Sequence, residues 1–241
     1  MNRLLSSIRN DIIVQFRSNL YYIGIVVGVL IAFILGFIFT AEQLPTLIPS
    51  FMIIVGGGST MLYIASLILF EKDQGTINAA LVSPLKTSEY ILSKIITLTI
   101  LATFEAIIMI GGAMLIFLFS SSVTIPNIPI LLLGIIAMSI VYTLIGIILI
   151  VRYKSILEFI IPMSVAAMVL KVPALYFFGW IKHWISLIIP TSAPAMIIQG
   201  AYSSLTILKW VYGLSYTLIT IAVLGLWSYK AYQKYIVMRS N

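Results

Sequence analysis

Charge is the scarcest property of this sequence. Of 241 residues only 9% are Asp, Glu, Lys or Arg, histidine occurs once and cysteine not at all. Soluble domains carry roughly a quarter charged residues. With 61% hydrophobic residues and a mean hydropathy of +1.15, the composition is that of a polytopic membrane protein. The missing cysteines exclude disulfides, thiolate metal centres and cysteine nucleophiles. The single histidine, His183, leaves a zinc site short of ligands. A serine-protease triad would have to pair it with Glu42, the one acid expected on the outer side. There is no Gly-x-Ser-x-Gly elbow, and no G-x-x-x-x-G-K-[ST] or even a Gly-Lys pair. The chain reads as no enzyme, with no catalytic residue, cofactor or metal of its own and no means of hydrolysing ATP. Its net charge of +7 sits in basic residues flanking apolar runs, a topology signal rather than a nucleic-acid surface.

A hydrocarbon layer about 30 Å thick takes roughly 20 apolar residues per helix. Six runs qualify, near 20–40, 48–70, 95–119, 128–151, 156–178 and 205–227. Unpaired backbone is not tolerated in lipid and no alternating pattern suggests a barrel, so these are helices. The fold class is an all-α integral membrane protein with one six-span domain over 1–241. The first run is too long for a signal-peptide core and no small-x-small site follows it in FTAEQLP, so it reads as a retained span. Before it, residues 1–17 place Leu4, Leu5, Ile8, Ile12, Ile13 and Phe16 at helical spacing, which predicts a helix lying along the cytoplasmic interface.

Basic residues set the orientation. With the N-terminus inside, Arg3, Arg9, Arg17, Lys72, Lys86, Lys94, Arg152, Lys154, Lys230, Lys234 and Arg239 are cytoplasmic, against Lys171, Lys182 and Lys209 outside. Both termini are then cytoplasmic in a multi-pass protein of the cell membrane. Outer loops at 41–47 and 120–127 are short and punctuated by proline, and the inner loop 152–155 is minimal. Residues 171–204, broken by Pro173, Pro190 and Pro194, predict one or two short helices in the outer leaflet, anchored by Trp180 and Trp184.

One stretch keeps its charge: FEKDQGTINAALVSPLKTSEY, whose residues 71–90 lie between the second and third spans. After Gly75, the residues Ile77, Ala80, Leu81 and Leu85 share a helical face. Pro84 should stop that helix. Thr87 or Ser88 can cap the next, with Glu89 in its first turn. The pattern is helix, stop, cap, helix, parallel to the membrane. It is either a solvated loop or an apolar face offered to a cytoplasmic partner.

Glu71, Gly75, Thr76, Leu81, Ser83, Pro84 and Lys94, in that order, resemble the loop after the second span in permeases of the type-2 ABC exporter family. Lys72 fits the basic residue that follows the acid in that family. The resemblance extends over the whole six-span layout and is nearest to small prokaryotic drug-export or peptide-immunity permeases. It implies that the insert is a coupling helix seated on a separate ATP-binding cassette subunit, present in two copies and holding ATP and magnesium. It also implies a second permease protomer, identical or related, and export of an apolar or amphipathic substrate such as a drug, a lipid or a hydrophobic peptide. No aromatic ladder suggests a polysaccharide. The second and fifth spans would line the pathway, with Gly56, Gly57, Gly58, Ser59, Thr60, Tyr63, Phe159 and Met163 as candidates.

Other features stay open between readings. Gly24, Gly28, Ala32 and Gly36 recur every fourth residue in the first span and suit either packing within the chain or a dimer contact. The GGGST run at 56–60 could be a kink or a close-packing point. Glu105 is the one acid deep in an apolar run, and either functions there or bonds to a Ser, Thr or Tyr of a neighbouring span. Glu158 and Lys171 are expected to reach opposite interfaces. The rival readings are an ion-coupled secondary carrier, which should display paired intramembrane charges or inverted repeats, and a non-transporting immunity or assembly factor.

Overall fold

The structure, a computed structural model, describes residues 3–73, 86–120, 125–181 and 183–237. Every regular element among them is helical. The residues Gly75, Thr76, Ile77, Ala80, Leu81, Ser83, Pro84 and Leu85 lie outside the described residues. Helix α1 (Arg3–Arg17) precedes the first span, α2 (Leu20–Ile38). The second span is built from α3 (Leu44–Phe51), a π-helical turn (Met52–Gly56) and α4 (Gly57–Asp73). Then come α5 (Thr87–Ser120), α6 (Ile128–Ile150) and α7 (Ile156–Phe177). A 3-10 turn (Trp184–Ile188), the short α8 (Ser192–Gly200) and the last span α9 (Ile207–Tyr235) complete the chain. Among the described residues, six helices are long and apolar enough to cross a membrane.

Two expected boundaries move. The third span does not wait for residue 95. α5 begins at Thr87 and runs 34 residues, about 51 Å at 1.5 Å per residue. Residues 87–94 therefore extend the span instead of forming a separate helix. Thr87 and Ser88 sit inside its first turn, and the Lys86 backbone N–H donates to Glu89 Oε2 at 2.8 Å. Pro173 does not break the fifth span. It lies within α7, as does Pro162. The Leu170 carbonyl, in the turn that Pro173 disrupts, accepts the Thr191 hydroxyl at 2.8 Å. Side chains of neighbouring elements make such prolines tolerable in apolar helices.

The most enclosed span is α6, which packs against α4, α5, α8 and α9. Helix α8 is no surface element. Ala193, Ala195, Met196 and Ile198 are all buried, with Ile198 seated on Gly134 of α6 and Ile197 on Gly213 of α9. A Cβ on Gly134 would come within 2.5 Å of Ile198 Cγ1, so only glycine lets these helices approach so closely.

The stripe Gly24, Gly28, Ala32 and Gly36 faces α5 of the same chain. A Cβ on Gly28 would meet the Glu105 carbonyl and Ile108, Ala32 packs on Gly112, and Gly36 lies under Ile116. Without a hydrophobic drive between helices in lipid, such close contact is what holds α2 to α5. The GGGST run is a packing point at the end of a π-helical turn. The π turn ends at Gly56, and Gly57 lies flat beneath the Tyr142 ring, where a Cβ would sit 2.0 Å from Cζ. The Tyr142 hydroxyl donates to the Ile53 carbonyl in that turn at 2.9 Å. A π turn misaligns backbone carbonyls, and this tyrosine satisfies one of them.

Gly57→Ala should overpack a site whose neighbour, Tyr142, is fully buried, at a cost of about 1–3 kcal/mol. The expected result is a lower unfolding midpoint in detergent. Wild-type stability would mean that the two spans are not in this close contact.

Candidate coupling site

Helix α1 turns an unexpected face inward. Ser7, Asp11 and Gln15 follow one another every fourth residue, and Asp11 and Gln15 are buried against α5. Leu5, Ile13 and Phe16 point outward, while Leu4, Ile8 and Ile12 flank the polar stripe half-buried. The buried stripe meets Lys94, two turns into α5 and only 1% exposed. Its ammonium lies 2.6 Å from Asp11 Oδ1 and also pairs with Glu71 Oε1, at the end of α4. The Ser93 hydroxyl donates to Asp11, and Ser7 donates to Ser93 at 3.0 Å. The Tyr90 hydroxyl donates to Glu71 Oε2 at 2.5 Å, and the same ring lies 4.9 Å below the Lys94 ammonium, a cation–π contact. Tyr90 in turn packs on Tyr232 of α9, with centroids 4.8 Å apart.

The next residue reaches the other way. Lys72 Nζ donates to the carbonyls of Ile150 at 3.2 Å, Val151 at 3.4 Å and Tyr153 at 2.6 Å. These are carbonyls at and just beyond the end of α6, where a cation satisfies both the unpaired oxygens and the helix dipole. Adjacent residues of opposite charge therefore tie the end of the second span to α1 and α5 on one side and to the 150–153 turn on the other. The described residues stop at Asp73, two past Glu71, and resume at Lys86, four before Tyr90.

Two carboxylates and one ammonium buried together are stable only as a set. Desolvation of each charge is recovered by pairing, and removing one partner leaves the others uncompensated. The ion pairs tie the middle of α1 and the last turn of α4 to the first turns of α5.

Glu71, Lys72 and Lys94 were legible in the pattern of the insert, whereas Asp11, Tyr90 and Ser93 were not. The available signals were the fourfold spacing of Ser7, Asp11 and Gln15, and the one-turn spacing of Tyr90 and Lys94.

The remaining candidates separate by place. Glu105, 3% exposed, accepts the Tyr63 hydroxyl at 2.9 Å between the second and third spans, with Gly24 closing over the pair. Gly57, Thr60, Tyr63 and Phe159, expected along a pathway, are buried within the single chain. Phe159 packs on Tyr153, with centroids 6.0 Å apart, so its ring fills the core. Gly56, Gly58, Ser59 and Met163 are half-buried, and Gly58 is approached by the side chain of Lys171. Glu158 accepts from the Lys154 N–H at 3.1 Å at the start of α7. Among the described residues no cluster of His, Cys, Asp and Glu could hold a metal.

The model of the fluoroquinolones export permease protein family matches residues 2–240 of the chain. Two fluoroquinolones export permease proteins of Mycobacterium tuberculosis, from strains CDC 1551 / Oshkosh and ATCC 25618 / H37Rv, are each 22% identical over 253 residues. The alignments cover 100% of this chain and 99% of each relative.

Lys94→Met should cost about 3–5 kcal/mol by stranding Asp11 and Glu71, seen as a lower unfolding midpoint in detergent. The apolar triple replacement Asp11→Leu, Glu71→Leu, Lys94→Met should recover most of that loss. A single variant as stable as wild type would show that the three charges are not buried together.

Proposed function

The chain belongs to the fluoroquinolones export permease protein family, and from that premise we propose that it is the membrane-spanning subunit of an ATP-driven drug exporter. As an export permease it is a multi-pass membrane protein with six candidate spans, and its sequence holds no phosphate-binding loop. The work is done by two copies of a separate ATP-binding cassette subunit, which hold ATP and magnesium. The polar insert within residues 71–90 docks on it, and a second permease protomer completes the pathway. Both termini face the cytoplasm.

The observation that carries this reading is the knot at the root of the insert. A solvated loop needs no buried ion pairs at its base. Here Glu71 and Lys94, on the two chain segments at the root of the insert, share a salt bridge whose lysine is buried. Closure of the ATPase subunits would displace the docked insert. With its root fixed to α1, α5 and the end of α6, that displacement moves helix ends together, as alternating access requires. The outward Leu5, Ile13 and Phe16 of α1 would rest on the lipid interface. The substrate class is an amphipathic drug of the kind for which the relatives are named.

Co-purification tests the docking directly. The ATPase should purify with wild-type chain and be lost with Leu81→Asp plus Leu85→Asp, which put charge on the apolar face of the insert. Full retention by the double variant would contradict the assignment.

A further inference from the structure

Lys171 is a cation in the wrong place for an interface residue. It lies six residues before the end of α7, about 9 Å from Phe177 along the helix axis, in a span of mean hydropathy 1.8. A lysine near a helix end ordinarily extends to the polar boundary. This one instead crosses to the second span. Its ammonium comes within 3.7 Å of where a Cβ on Gly58 would stand. Among the described residues, no carboxylate, hydroxyl, carbonyl or aromatic ring partners it.

The surroundings are built to leave that ammonium available. Gly58 contributes no side chain, and it lies just past the π turn that bends the second span. Leu62, one turn further along the face that Gly58 begins, is half exposed. Met168, beside Lys171 on α7, is 76% exposed. The seam between the second and fifth spans is therefore open on one side and carries one unpaired positive charge. A cation there is costly against hydrocarbon and finds a partner in water or in an anion. Glu105, by contrast, accepts the Tyr63 hydroxyl inside the bundle.

We propose that Lys171 is the substrate-recognition cation of this permease and that the amphipathic molecules it exports carry a carboxylate, which pairs with the Lys171 ammonium over Gly58. The inference rests on the exporter reading and assigns the residue that recognises the anionic group of its substrate. An outer-leaflet phospholipid offers the same oxyanion chemistry, and the test separates the two sources.

Inverted membrane vesicles containing the chain and its ATPase would be given a quinolone carboxylic acid and, separately, its methyl ester. ATP-dependent uptake of the acid should fall about tenfold or more in Lys171→Met, as for loss of a charged hydrogen bond, while uptake of the ester changes less than about twofold. Lys171→Arg should restore uptake of the acid. Equal losses for acid and ester, or no loss for either, would overturn the role of Lys171 and leave the exporter reading standing. An anionic phospholipid that leaves the purified chain in Lys171→Met, with acid uptake unchanged, would overturn it in favour of a lipid site. Wild-type vesicles that take up neither compound with ATP would overturn the exporter reading and this inference together.

Discussion

The Lys94 ammonium is shared between Asp11 and Glu71, and the architecture of this end of the molecule follows from that sharing. A single buried lysine could not be sustained in so apolar a chain without compensation. Compensation comes from two elements distant in sequence, the helix before the first span and the last turn of the second. Tyr90 and Ser93, on the same turns of α5, supply the hydrogen bonds that the carboxylates still require. The effect is to join the middle of α1, the last turn of α4 and the first turns of α5. Lys72 adds the end of the fourth span by capping its carbonyls, and Tyr90 adds the last span through Tyr232. On the proposed reading, a push on the insert is delivered to most of the bundle and not absorbed in a loop.

Away from this end the bundle is held by a different means. Glycine and alanine allow backbones to meet, with α2 on α5 through Gly28, Ala32 and Gly36, α6 on α8 through Gly134, and the bent second span on α6 through Gly57. Close packing of this kind leaves no room for an added carbon, which at Gly57 would collide with the Tyr142 ring and at Gly36 with the Ile116 side chain. The seam between the second and fifth spans is the exception. There the π turn, the half-open face at Gly58 and the unpaired Lys171 leave room and charge between the two helices.

The six spans were legible because the apolar runs are long and the charges that bound them few. The root of the insert was legible in part, since Glu71, Lys72 and Lys94 stand out against an apolar background. Asp11 was not, because the apolar residues of α1 dominate its helical pattern and the ion partner lies 83 positions away. The extension of α5 back to Thr87 was hidden by the polar composition of residues 86–94, which suits a solvated helix as well as an elongated span. Pro173 misled for a related reason. A proline ends helices in water, whereas here Thr191 and its neighbours satisfy the disturbed backbone. The pathway candidates Tyr63 and Phe159 were chosen by span alone, and span does not fix which side of a helix faces inward.

The central claim is that the buried charge knot transmits work, beyond stabilising the fold. Its most direct test is the ratio of drug exported to ATP hydrolysed in proteoliposomes holding the complete exporter, wild type against the triple variant Asp11→Leu, Glu71→Leu, Lys94→Met. The account predicts a variant that folds, keeps its ATPase and hydrolyses ATP, with the transport ratio reduced about tenfold or more, a coupling energy near 1.4 kcal/mol. An unchanged ratio would contradict it and reduce Lys94 and its partners to a structural clamp.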